Sequence, residues 1–240
     1  MPALAAAFKE NKTEVVISTI GHAALPNQRF LADAAKQAGV KLFLPSEFGY
    51  STIGQTEGEL GLKTEFGEYV KEIGLPFARI FVSWDSLNLH LIFTDVTQTG
   101  GFTTYIPYLT SIDSGKIQIL GKGDTKASFT DPADIAGFTA YIVTHLTPSE
   151  LSNKFFRIEG ERASLLDIAE YYGPKVPVEH VNGFDDKFKT FLQQLVNSGK
   201  GTTAYDFASG KELTGSDAAG ASNVLWPGHQ WKGIKEGLGL

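Results

Sequence analysis

The sequence predicts an α/β fold in which a parallel sheet is accompanied by a smaller, mostly helical lobe. Short apolar segments typical of buried strands alternate with amphipathic helical segments over most of the chain, and helical patterns predominate after Pro174. The chain has 240 residues, of which 42% are hydrophobic and 20% are charged. This composition is that of a globular protein large enough to bury one large core and a smaller one.

The composition excludes several classes of function. The net charge of −6 argues against a nucleic-acid partner, which would require a basic face. There is no Cys, so disulfides, zinc–thiolate sites and thiol catalysis are excluded, and the scattered histidines predict no metal site. The apolar runs are too short to span a bilayer, so we expect a cytoplasmic protein without a membrane anchor.

A strand–helix–strand unit is predicted near the start of the sequence. Glu14–Ser18 is a β-branched strand expected in the interior of a sheet, and from Pro26 to Gly39 the apolar residues have helical spacing. Lys41–Pro45 forms the next strand, so the two strands should be parallel and joined by a right-handed crossover. The following loop, Ser46–Gly49, therefore lies at the carboxyl edge of the sheet, where open α/β sheets bind ligands.

Lys63 is the residue of this region with two open interpretations. It lies near the start of a helix predicted from about Glu59 to Ile73, whose buried stripe is predicted to be Leu62, Phe66, Tyr69 and Ile73. It is either a solvated lysine paired with Glu59, worth roughly 0.3–0.5 kcal/mol, or an ammonium held over the sheet edge. In the second case it could orient a ribose or polarise a substrate oxygen.

The remaining elements are predicted from periodicity and from turn and cap residues. Further strands are expected at Leu75–Val82, Lys116–Leu120 and Lys154–Ile158. Further helices are expected at Ser83–Phe93, after the N-cap Asp131, and at Ser164–Tyr172, Asp185–Asn197 and Tyr205–Leu213. Gly121–Asp124 is predicted to be a hairpin turn rather than a phosphate-binding loop. Tyr171 and Lys175 have the Y-x-x-x-K spacing of dehydrogenases, but Gly173-Pro174 breaks any helix between them.

Several stretches of the sequence resemble one known family. They are Val15–Ser18 with Gly21, Gln28–Gly39, Phe43–Gly49, Lys63 followed by Gly74–Phe77, and Phe129–Ala136. The string Leu-Pro-Ser-Glu-Phe-Gly at residues 44–49 is the most specific of them. Up to about Tyr172 the chain resembles the NmrA-like and isoflavone reductase-like family of atypical short-chain dehydrogenases.

The resemblance implies a Rossmann-type parallel sheet that binds NADP(H), with NAD(H) as the alternative, and a C-terminal lobe that binds a small, often aromatic, substrate. It implies a cofactor-binding domain at 1–158, from which residues 100–125 project into the small lobe, and a substrate lobe at 159–240. It assigns Lys63 as the catalytic group and as a cofactor contact. The other cofactor-binding positions are Thr19, Gly21, His22, Pro45, Ser46, Glu47 and Phe48.

The resemblance also has gaps. Family members begin with a strand and a glycine-rich turn that binds the pyrophosphate through helix N-terminal amides, and Met1 corresponds to a later helix. Without that turn we expect weaker cofactor binding and a truncated sheet. Reductases of the family often carry a basic residue four positions after the lysine, where this chain has Gly67. Three hypotheses follow: an NADP(H)-dependent reductase, an NmrA-type regulator that senses a dinucleotide and binds a protein partner, and an inactive truncated member.

Overall fold

A computed structural model describes residues 2–83 and 101–240. Apart from Ser83, the helix predicted over Ser83–Phe93 lies outside the described residues. The strands are β1 (Val15–Ile17), β2 (Leu42–Leu44), β3 (Ala78–Phe81), β4 (Ile117–Leu120), β5 (Ala127–Phe129), β6 (Lys154–Arg157), β7 (Glu161–Ala163), β8 (Val178–Val181), β9 (Tyr205–Asp206) and β10 (Lys211–Glu212). The α-helices are α1 (Pro2–Glu10), α2 (Gln28–Ala38), α3 (Gly58–Glu72), α4 (Gly101–Thr110), α5 (Pro132–His145), α6 (Pro148–Leu151), α7 (Leu165–Tyr172), α8 (Lys187–Asn197) and α9 (Ile234–Leu238).

A parallel sheet in the order β1-β2-β3-β6 organises the larger part of the chain. β1 pairs with β2, and β3 pairs with β6, in parallel register. β2 and β3 are joined through a parallel bridge between Phe43 and Phe77, where the Phe43 amide donates to the Pro76 carbonyl at 2.8 Å. The α/β class and the parallel strand pair are confirmed. Among the described residues β1 pairs with β2 alone, so the second neighbour expected for an interior strand is not found there.

Helices cover both faces of this sheet. On one face α2 and α3 pack against the strands through a core that contains Phe43, Phe66 and Val70. On the other face α5 packs through Phe138 against Ile80 and the rest of a second core. Because successive residues of a strand point to opposite faces, β2 contributes to both cores, with Leu42 and Leu44 on the α5 face and Phe43 on the other.

The predicted helix caps are largely confirmed. Asp131 is the N-cap of α5 and its Oδ1 accepts the Ala133 amide at 2.9 Å, while Ser164 caps α7. Gly39 ends α2 with a φ of 78°, a left-handed conformation that glycine adopts without strain. Pro26 was predicted to lie in the first turn of α2. It lies instead within a preceding 3-10 helix over His22–Asn27.

The buried face of α3 differs from the prediction by one residue. The inward stripe runs through Lys63, Phe66 and Val70, whereas Leu62 is exposed. The hydrophobic stripe predicted through Leu62 and Tyr69 was therefore wrong at its first position. The packing of Phe66 and Val70 on β2 sets the helix rotation, and this rotation carries a lysine into the interior.

The smaller lobe contains more strand than was predicted. β4 pairs in parallel with β8, and β5 pairs antiparallel with β7, so Gly121–Asp124 does not close a hairpin between β4 and β5. The helix predicted over Tyr205–Leu213 is instead the short antiparallel pair β9–β10. Its turn is fixed by Asp206, whose carboxylate accepts the amides of Ala208 and Ser209, and by Gly210 at a φ of 67°. No helix in the described ranges is long and apolar enough to cross a membrane. The domain division at residue 158 stays a prediction.

Candidate functional site

The segments that follow β1 and β2 meet at the carboxyl edge of the sheet. The Ser46 hydroxyl donates to the Ile20 carbonyl at 2.9 Å, and the Ser46 amide donates to Oε1 of the buried Gln28 at 2.7 Å. The structure therefore brings the predicted positions after β1, namely Thr19, Gly21 and His22, to the same edge as the predicted positions after β2, namely Pro45, Ser46, Glu47 and Phe48.

This edge has features that suit a polar ligand. The Ser18 hydroxyl, directly after β1, is buried and has no hydrogen-bond partner among residues 2–83 and 101–240. A Cβ added at Gly21 would meet nothing within 4 Å, so the backbone there borders open space. A hydroxyl that must find a partner beside an open backbone stretch fits the edge of a nucleotide better than an apolar group.

The loop after β2 is held in an unusual backbone conformation. Phe48 has a φ of 34° although it is not glycine, and its ring is buried. Gly49 then forms a parallel bridge with Phe81 at the end of β3. Backbone of this kind persists only where surrounding contacts fix it, and it concentrates at functional sites.

Lys63 is buried and points at this loop. The residue as a whole is 6% exposed, and its Nζ donates a hydrogen bond to the Glu47 carbonyl at 2.7 Å. The interpretation of Lys63 as a solvated surface lysine is therefore wrong. A buried ammonium beside the carboxyl edge of a parallel sheet is available to donate a proton or to stabilise a developing negative charge.

The Glu47 side chain belongs to a buried ion pair that the sequence did not reveal. Its Oε1 lies 2.8 Å from both Nε and Nη2 of Arg79, and its Oε2 accepts the Thr52 hydroxyl at 3.1 Å. The two charged side chains are 1% and 5% exposed. The signal was an arginine inside an otherwise apolar strand, because a buried guanidinium requires a carboxylate partner.

A cleft of about 910 Å³ opens beside the start of α3. Its lining is mainly apolar and includes Leu60 from α3, Tyr50 from the segment after the site loop, and Phe188 and Phe191 from α8. Burial raises the pKa of Tyr50 well above its ordinary value, and the nearby Tyr105 adds to this effect, so the phenol stays protonated. The sequence predicted a substrate lobe here but none of these lining residues.

Within residues 2–83 and 101–240 there is no group of three or more His, Asp or Glu side chains that could hold a metal ion.

Comparison with known proteins identifies the family. A model of the NmrA-like family matches residues 2–195. The chain belongs to the NmrA-like family.

Its relatives include plant reductases. The chain is 34% identical over 137 residues to an isoflavone reductase homolog of Solanum tuberosum, covering 53% of this chain and 40% of that protein. It is 31% identical over 180 residues to a leucoanthocyanidin reductase of Desmodium uncinatum, covering 70% of this chain and 43% of that protein. The chain thus spans less than half the length of these curated relatives.

Solved structures show the same fold. A ternary complex of leucoanthocyanidin reductase from Vitis vinifera superposes with a TM-score of 0.70 at 21% identity, covering 99% of this chain and 81% of that one. A crystal structure of isoflavone reductase gives a TM-score of 0.71 at 19% identity, covering 99% and 77%. These likenesses confirm the Rossmann-type fold of the family, while the roles of the individual site residues stay predictions.

Proposed function

We propose that the chain acts as an NADP(H)-dependent reductase of a small, aromatic carbonyl or ether compound, with NAD(H) as the alternative cofactor. The observation that carries the proposal is the buried Lys63 ammonium held against the Glu47 carbonyl, at the sheet edge and one helical turn from the apolar cleft. The relatives include reductases, and one leucoanthocyanidin reductase was solved as a complex with NADPH.

The dinucleotide would lie along the carboxyl edge. Ser18, Thr19, Gly21 and His22 would contact it from β1, and the loop Pro45–Phe48 would form the opposite wall. The unpartnered Ser18 hydroxyl and the open space at Gly21 support this placement. When bound, the nicotinamide supplies the hydride.

Lys63 would act on the substrate oxygen. Its ammonium would stabilise the negative charge that develops there and would donate the proton that completes the reduction. The Glu47 carbonyl accepts a hydrogen bond from this ammonium and helps to keep it in place. The cleft would bind the substrate, and the exposed rings of Phe188 and Phe191 offer stacking surfaces for an aromatic ring.

The cellular setting follows from composition. Since the chain has no Cys, nothing in it requires an oxidising compartment, and we expect it to act in the cytoplasm. A protein partner would be needed only if the chain were a dinucleotide-sensing regulator.

Turnover by Lys63 variants tests the proposal. NADPH oxidation is followed at 340 nm with a panel of aromatic ketones and benzylic ethers, for wild type, Lys63→Met and Lys63→Arg. We expect Lys63→Met to lower kcat at least 100-fold, the usual contribution of a general acid, and to weaken NADPH binding by a much smaller factor.

Lys71→Met is the matched control, because Lys71 is on the same helix with a side chain 71% exposed. It should leave kcat unchanged. Full activity in Lys63→Met would contradict the proposed role. Tight NADPH binding without turnover of any compound would instead favour the regulator.

A further inference from the structure

Arg79 is a charged residue in the middle of a buried strand. It lies in β3 on the face that packs against α3, and the residues two positions before and after it are the buried Phe77 and Phe81. The guanidinium carbon lies 5.3 Å from the centre of the Phe81 ring and 5.6 Å from that of Phe155. A charge in such surroundings is retained only where its partners are well placed.

The polar partners of Arg79 are Glu47, in the loop Ser46–Gly49, and Thr52, in the segment that follows this loop. Nε and Nη2 of Arg79 lie 2.8 Å from Oε1 of Glu47, and Nη2 also donates to the Thr52 hydroxyl. The Thr52 hydroxyl in turn donates to Oε2 of Glu47, and the Thr52 carbonyl accepts the hydroxyl of Thr64 in α3. One guanidinium thus connects the start and the end of the loop over residues 47–52, and Thr52 connects the loop to α3.

Gly67 provides the space for this guanidinium. A Cβ at Gly67 would lie 3.1 Å from Nη1 and 3.3 Å from Cζ of Arg79. Glycine is unfavourable in the interior of a helix, and Gly67 is one turn after Lys63 on the inward side of α3. The missing side chain at Gly67 therefore leaves room on the surface of α3 for the Arg79 guanidinium.

Glu47 contacts Arg79 through its side chain and Lys63 through its backbone carbonyl. The Glu47 carboxylate is fixed by Arg79, and the Glu47 carbonyl accepts Lys63 Nζ at 2.7 Å. The next residue, Phe48, has the strained φ of 34°, so the orientation of this carbonyl depends on contacts that hold the loop.

We infer that Arg79 is a positioning residue for Lys63. By fixing the side chain of Glu47 and the hydroxyl of Thr52, it orients the Glu47 carbonyl, and this carbonyl sets the position of the ammonium. The inference rests on the proposed function for the catalytic meaning of Lys63, but the contact chain from Arg79 to Lys63 does not.

The reactivity of Lys63 toward trace acetic anhydride measures this position directly. Labelling of Lys63 is determined by peptide mass spectrometry relative to Lys71, which is on the same helix and exposed. The main variant is the double substitution Glu47→Gln/Arg79→Met, which removes both charges and so leaves no unpaired buried charge. We expect relative Lys63 labelling to rise about fivefold, the factor that corresponds to one lost hydrogen bond.

Two further variants separate positioning from general loosening. Arg79→Lys keeps a charge but cannot contact Glu47 and Thr52 together, so it should give an intermediate increase. Ile80→Val, at the next residue of β3 but on the opposite face, should leave the relative labelling of Lys63 unchanged.

Equal labelling of Lys63 in wild type and in a folded double variant would overturn the inference, and so would an equal rise in Ile80→Val. Turnover of the same proteins with NADPH and an aromatic ketone is measured alongside. A labelling response without turnover in wild type would refute the proposed function and leave the contact chain intact. Turnover in wild type without a labelling response would refute the inference alone.

Discussion

Neighbouring residues of β3 make contacts of different kinds on the two faces of the parallel sheet. On the α5 face, β3 contributes Ile80 to a core with Phe138, and both side chains are almost completely buried. On the α3 face, the preceding residue Arg79 forms an ion pair with Glu47. An apolar pair would satisfy packing on either face. At this strand the α5 face is therefore packed by apolar side chains, whereas the α3 face carries an ion pair that connects β3 to the loop after β2.

Breaking the ion pair should have the largest effect on stability. Arg79→Met leaves the Glu47 carboxylate buried without its charged partner, and we expect a loss of about 3–5 kcal/mol in the free energy of unfolding. Urea denaturation followed by circular dichroism measures it.

The double variant Glu47→Gln/Arg79→Met sharpens the comparison. Because no unpaired charge remains, its loss should be smaller by about 2 kcal/mol. A double variant as unstable as Arg79→Met would mean that the pair is essential for folding and not only for the geometry of the loop.

A smaller effect is expected where the α5 face begins. Asp131→Ala removes the acceptor of the Ala133 amide at the N-terminus of α5, and should cost about 1 kcal/mol. Asp131→Asn is the matched variant, because asparagine is an equally good N-cap, and its stability should stay close to that of wild type. Equal losses in both variants would assign the effect to the charge of Asp131 rather than to the cap.

An effect of similar size is expected within the apolar core itself. Ile80→Val removes one methylene group from a tightly packed site and should cost about 0.5–1.5 kcal/mol, without altering the loop on the opposite face. Ile17→Val on β1 provides the control, since Ile17 is 37% exposed and should lose less. A larger loss for Ile17→Val would mean that β1 is more buried in solution than the structure indicates.

Local sequence signals predicted the elements that depend on neighbours in the chain. The β-branched run at Val15–Ile17, the Asp131 cap and the Gly39 cap all act over a few residues, and each was found where predicted. The sequence singled out Lys63 with two interpretations, the resemblance to the family implied a catalytic role for it, and the structure shows it at the loop over Ser46–Gly49.

Contacts between residues that are far apart in the sequence could not be predicted from such local signals. The partner of Arg79 is Glu47, in a loop after a different strand, and the partner of β4 is β8, beyond three helices and three other strands. At Asp206 and Gly210, turn chemistry outweighed a helical spacing of apolar residues. The sequence predicted Lys63 to lie beside the buried stripe of α3 rather than in it. The rotation of α3 depends on its packing on β2, which the local spacing of residues does not reveal.

Titration of the 240-residue chain with NADPH by isothermal calorimetry tests the central claim, that the edge formed by Ser18–His22 and Pro45–Lys63 is a dinucleotide site. We predict saturable binding with a Kd of about 10 μM, within the usual range for enzyme ligands, and weaker binding when Ser18 is replaced by Ala. The absence of saturable heat up to about 1 mM NADPH, a concentration at the top of that range, would contradict the account.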